Sequence, residues 1–170
     1  WHITNAMLRW MAPFLSFTAE EAWPIFAPGR SSSIFIETYS DTVAWTDDAL
    51  LAKWSRIREI REFANKQIEA VRAAGQLGSS LQASISITAG ADDHALLASL
   101  GDGLKFVTIT SEALLSAGAE LAVQVTPSGA KKCERCWHYR DDVGHDAAHP
   151  TICGRCTSNL DGDGEVRRVA

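Results

Sequence analysis

Sulfur is scarce in this 170-residue sequence, which has two methionines and four cysteines, and no cysteine stands before position 133. Everything upstream of that position must therefore fold without a disulfide or a thiolate metal site. Continuous apolar runs of about 18 residues are also missing, so no membrane-spanning helix is expected. The N-terminus has no basic stretch leading into an apolar segment with a cleavage site, and a soluble, cytoplasmic protein is the expectation. What is present is ordinary globular composition, with 46% hydrophobic residues, which excludes wholesale disorder. Trp1 falls inside an amphipathic pattern rather than ahead of one, so the chain is expected to be the tail of something longer.

The net charge of −5 argues against a surface that is basic all over. Its distribution says more. Residues 49–74 hold six basic and three acidic side chains, and residues 131–170 hold seven of each, so these two segments are where an anionic partner would dock.

Ile3, Met7, Trp10, Met11 and Phe14 recur at helical spacing, with Pro13 ending or bending the helix. Thr18 and Glu21 form a capping-box pattern for a second helix. Ser33 to Tyr39 read as a brief extended stretch with Ile34 and Ile36 on one side. The longest periodic segment follows, with Leu50, Trp54, Ile57, Ile60, Ala64, Ile68 and Val71 stepping by three and four and Gly75 as its stop. Its polar face carries Arg58, Arg61, Lys66 and Arg72 among Glu59, Glu62 and Glu69, with Glu62 and Lys66 an i,i+4 pair. That face is either a solvated charged surface or one lying along a phosphate backbone. Beyond Gly75, Ala83, Ile85 and Ile87 alternate with polar residues, a short helix fits 92–100, and 105–110 and 120–125 read as strands. A sheet of about three strands with one or two helices packed on it is expected over 80–126, followed by a turn at Pro127, Ser128 and Gly129. The fold class is α+β, with expected units at 1–75 (helical), 76–130 (small mixed α/β sheet) and 131–170 (cysteine module).

The cysteines stand as Cys133-x2-Cys136 and Cys153-x2-Cys156 with sixteen residues between the pairs, the spacing of a four-thiolate zinc site. A CxxC turn aims two sulfurs at one point, and the longer gap lets the chain return the second pair to complete a tetrahedron. Spacing alone leaves iron of the rubredoxin type open; disulfides would need an oxidising compartment. Four thiolates close the shell, so the metal is structural rather than catalytic. His138, His145 and His149 lie between the pairs and read as surface or packing residues. Arg135 and Arg155 occupy the same place in each CxxC, and either offset the thiolate charge or reach for phosphates. Lys131, Lys132, Arg167 and Arg168 bracket the module.

The runs MLRWMAPFLSFTAEEAW, GQLGSSLQASI and KKCERCWHYRDDVG…HPTICGRCTSNLDGDGEVRR resemble the C-terminal region of bacterial isoleucyl-tRNA synthetases, in the same order along the chain. The resemblance implies that residues 1 to about 75 end a helical anticodon-binding domain, that the sheet is a junction unit, and that the tail is a zinc module with Cys133, Cys136, Cys153 and Cys156 as ligands of one structural zinc. In such an enzyme ATP activates isoleucine, which is moved to tRNA(Ile). The ATP-site signatures HIGH and KMSKS are not in this sequence, so this piece is expected to be inactive alone; the resemblance implies that it joins the upstream remainder of the synthetase and holds the anticodon arm, and a monomer is expected. Arg135, Arg155, Arg167 and Arg168, with Lys131, Lys132, Arg58 and Lys66, are the candidate tRNA contacts. Where the family usually ends in an aromatic, Val169 stands. Two other classes fit less of the sequence: a zinc-finger DNA-binding protein of the formamidopyrimidine-DNA glycosylase type, which needs an N-terminal proline, and a stand-alone zinc-stapled interaction module.

Overall fold

The computed structural model describes residues 1–41 and 46–165. The chain divides into two compact units, Trp1–Asp48 and Ala49–Ala170.

In the first unit, helix α1 (His2–Met11) stops before Pro13, as that residue's missing amide requires. Helix α2 spans Ser16–Phe26, and the Ser16 hydroxyl donates to the carbonyl of Ala12. Thr18 therefore lies inside α2, and the Thr18–Glu21 capping box does not form. The face that buries is not the row of large residues. Leu8, Ala12, Ala19 and Ala27 gather with Ile34 around the fully buried Trp23. Ile3, Met7, Trp10 and Phe14 point to solvent. One large indole fills the centre, and small residues around it let the backbones approach. Ile34–Ile36 form a single 3-10 turn instead of an extended stretch, with Ser33 accepting from the Phe35 amide and Glu20 accepting from the Ile34 amide. Ile34 is buried while Ile36 stays exposed, so the two do not share a side.

The second unit is built on helix α3 (Asp48–Ala73) and strand β1 (Ala83–Ala89). Gly75, at φ +75°, ends α3 in a Schellman turn: its amide donates to Arg72 and that of Gln76 to Val71. Strand β1 is central, parallel to β2 (Glu112–Ala117) and antiparallel to β3 (Ala122–Pro127), in the order β2-β1-β3. Ala83, Ile85, Ile87 and Ala89 face inward and Ser84, Ser86 and Thr88 outward, the period-two pattern of a half-covered sheet. Ile87 stands opposite Leu115 and Val123, and Ile85 opposite Ala113 and Val125, so register puts these aliphatics on one face, while Leu114, opposite Ser86, stays exposed on the other. Ile57, Ile60 and Ile68 of α3 cover that face together with Leu97 and Leu104. The long helix thus shares its core with the sheet.

Helix α4 spans Ala91–Ala98, close to its expected place. Residues 105–110 are not a strand: Leu104–Thr108 form helix α5, with Leu104 and Thr108 buried one turn apart. The second strand is the Glu112–Ala117 segment, which sequence pattern did not mark, and the third begins two residues later than expected. On α3 the Glu62–Lys66 pair is not made; Arg56 instead pairs with Glu59 and with Asp93 at the start of α4. No helix among the described residues is long and apolar enough to cross a membrane.

Candidate metal centre

A two-stranded ribbon, β4 (Lys131–Lys132) with β5 (Tyr139–Arg140), frames the first CxxC. The loop between them is tied by the Cys133 amide to the His138 carbonyl and the Trp137 amide to the Cys133 carbonyl, each at 2.9 Å. Turning this tightly puts Trp137 at φ +65°, a left-handed conformation uncommon outside glycine. The second CxxC opens helix α6 (Gly154–Asp161), with Cys153 as its N-cap. Two links bring the halves together. Glu134 donates its amide to Thr151, and Asp142, held by Arg140 at 2.9 Å, accepts from the Gly154 amide at 3.1 Å. Between them, Gly144 sits at φ +84°, and a Cβ there would lie 2.8 Å from the Pro150 carbonyl oxygen, so only glycine fits.

These constraints gather the four thiols. All four Sγ atoms lie within 4.8 Å of one another, and Cys133, Cys153 and Cys156 are completely buried. The cysteines are free of disulfides, and Cys133–Cys156 and Cys136–Cys153 are each separated by 3.8 Å. Zinc–sulfur bonds of about 2.3 Å give a tetrahedron whose edge is about 3.8 Å. The donor set therefore fits a four-coordinate zinc with no position left for water or substrate. Among the described residues no histidine joins the group: His138 Nδ1 lies 3.2 Å from the Cys136 carbonyl oxygen, and His149 pairs with Asp161.

Electrostatics favour thiolates unevenly. Burial pushes the Cys133 thiol up, but the amides of Cys136, Cys153 and Arg135 outweigh it and bring it down to about 6. Burial raises Cys136, to about 12, and raises Cys153 as well. A dication at the centre supplies the attraction that Cys136 and Cys153 lack. Arg135 Nη1 lies 3.6 Å from Cys156 Sγ, where its charge offsets the thiolate surplus.

The other candidate residues are dispersed. Lys131 and Lys132 stand exposed on the ribbon, and Lys132 Nζ is 5.7 Å from the centre of the Trp137 ring. Trp137 is 59% exposed. A large aromatic side chain in so small a module stays open to solvent, and its place directly after Cys136 was the available signal. Arg58 and Lys66 are exposed on α3 and in no ion pair among the described residues. Arg155 is engaged internally, paired with Glu165 at 3.0 Å (Nη2–Oε1). Arg167 and Arg168 lie outside the described residues, as does Val169.

Two family descriptions match the chain. "Zinc finger found in FPG and IleRS" covers residues 130–159, and "Anticodon-binding domain of tRNA ligase" covers residues 1–87. Among curated proteins, the chain is 56% identical over its whole length to the isoleucine-tRNA ligase of Ralstonia pickettii and 57% identical to that of Cupriavidus taiwanensis, covering 18% of each. It is 51% identical to that of an Azoarcus species, of which it covers 19%. The chain spans about a fifth of the length of these relatives, which are enzymes. The cofactor of the cysteine module is zinc, in keeping with the matched finger and the four gathered thiols. Matched over half its length, the chain belongs to the family of tRNA-ligase anticodon-binding domains and carries behind it a zinc finger of the kind found in isoleucyl-tRNA synthetases.

Proposed function

We propose that this chain is the part of an isoleucine-tRNA ligase that grips the anticodon arm of tRNA(Ile), leaving ATP-dependent charging to the rest of the enzyme. The observation that carries the reading is the overall identity of 56% to an isoleucine-tRNA ligase in an alignment that spans the whole of this chain. Cys133, Cys136, Cys153 and Cys156 hold the zinc. The ion does no chemistry on substrate; it fixes the ribbon that carries Lys131, Lys132 and Trp137. An ammonium group beside an exposed indole suits a single-stranded RNA loop, in which phosphates meet cations and an unstacked base meets an aromatic face. Arg58 and Lys66, exposed on α3, are further candidate phosphate contacts, as are Arg167 and Arg168. The protein works as a monomer in the cytoplasm. A finger of this kind also belongs to DNA glycosylases, but the match of residues 1–87 is to tRNA ligases.

The test is binding of the zinc-loaded chain to a fluorescent isoleucine tRNA across a salt series. Affinity is expected to fall linearly in log–log form, with each phosphate contact adding about 0.7–0.9 to the slope. Lys132→Ala should shallow the slope by about one contact, and Trp137→Ala should weaken binding by about 1–3 kcal/mol without changing it. Affinity indifferent to salt and to both substitutions would overturn the reading. Isoleucine-dependent pyrophosphate exchange by the chain alone is expected to stay at background.

A further inference from the structure

Phe106 of α5 is one place where the zinc module touches the sheet unit. Phe106 receives one side chain from each arm of the chelate. His138, two residues after Cys136, meets its ring edge-on at 5.4 Å between centroids and 73° between planes. Arg155, just before Cys156, lays its guanidinium 4.9 Å from the ring centroid. Glu165 holds that guanidinium in place, with the Nη2–Oε1 contact at 3.0 Å. Nearby, the Tyr139 amide donates to the Ser111 hydroxyl at 2.6 Å, and that hydroxyl donates onward to the Leu81 carbonyl. Helix α5 itself ends at Ile109 with φ +55°, a conformation that β-branched residues rarely adopt and that only firm surroundings maintain.

We infer that Phe106 is a positioning residue: it seats the zinc module on the sheet unit by contacting both chelate arms at once, and so orients the Lys132–Trp137 side of the finger toward RNA. The inference rests on the tRNA-binding reading for its purpose but not for its geometry. His138 and Arg155 stay within reach of one ring only while their own CxxC segments converge on one ion. Closing the chelate therefore assembles the seat, and the seat converts a rigid finger into one held at a fixed angle. Arg155 acts here as an internal fastener rather than as a phosphate contact.

The experiment compares the zinc-loaded 170-residue chain with Phe106→Ala, Phe106→Tyr and Arg155→Ala by zinc content, amide hydrogen exchange and affinity for an isoleucine tRNA transcript. Phe106→Ala is expected to keep its zinc and the protection of Ile85 and Val123 in the sheet, while the Tyr139 amide exchanges about tenfold faster. Its tRNA affinity should fall about fivefold or more, the low end of what one ring pair and one cation–π contact are worth together. Phe106→Tyr should restore both readouts. Arg155→Ala, which leaves α5 unaltered, should move them the same way by less, and it decides the matter if Phe106→Ala disturbs the sheet. Unchanged Tyr139 exchange in the Phe106 and Arg155 variants would overturn the seat, as would loss of zinc from both. A wild-type chain that fails to bind tRNA would sink the functional reading, leaving the seat to be judged by exchange alone.

Discussion

Stripping zinc from the chain should melt the finger and leave the sheet standing. The magnitudes follow from what each part buries. Besides its cysteines, the module's buried apolar residue is Val143, with Ile152 partly covered, and one such aliphatic is worth about 1.5–3 kcal/mol. Structural zinc in small modules contributes on the order of 10–16 kcal/mol in apparent terms near neutral pH. The metal therefore outweighs the apolar core several-fold, and no rearrangement of a few side chains replaces it. The sheet unit is different, because Ile57, Ile60, Ile68, Ile85, Ile87, Leu97 and Leu104 form its core without any contribution from sulfur. The assay is hydrogen exchange by mass spectrometry before and after treatment with a strong chelator under reducing conditions. Amides in 131–165 should lose protection while those in 83–127 keep it, except near Ser111, where the finger docks. Protection that persists in 131–165 after verified metal loss would refute the reasoning, as would simultaneous collapse of the sheet.

Acidification should release the ion. Cys136 at about 12 and Cys153, also raised, are protonated at neutral pH without metal, so at least two protons leave per ion bound. Apparent zinc affinity should then drop about a hundredfold or more per pH unit below 7, as read by competition with a chromophoric chelator; a slope of one or less would contradict this. Gly144→Ala forces a side chain onto the Pro150 carbonyl in a left-handed backbone, and should weaken zinc binding by about 1–2 kcal/mol or more in the same competition assay. Ile87→Ala, at a fully buried site on the central strand, should cost about 2–5 kcal/mol in urea unfolding monitored by circular dichroism. The same substitution should leave zinc content unchanged.

What could be read in advance was whatever chemistry repeats at fixed spacing. Two CxxC pairs are a constraint on four atoms, and the fold satisfies it almost regardless of context. The long helix and the central strand were legible because their aliphatics keep one period over many residues. The region 105–110 misled because Phe106, Val107, Thr108 and Ile109 favour strands by composition, whereas burial of Leu104 and Thr108 needs a helical turn. Glu112–Ala117 misled in the opposite sense, since helix-favouring residues were drafted into a strand by pairing with β1. In α1 the large apolar residues keep a helical period, yet most of that row is not the face that buries. Close packing around Trp23 selects alanines, and a hydrophobicity pattern gives small residues little weight. Trp137 was overlooked because an aromatic in a small module reads as core until its backbone is seen to turn outward.

Because the chelate draws on both CxxC pairs, it has a schedule. On a ribosome adding about 5–20 residues each second, the Cys153 pair follows the Cys133 pair by about one to four seconds. During that interval the finger has two of its four thiols and no complete cage, and oxidants or competing metals meet them before zinc has its full set of ligands.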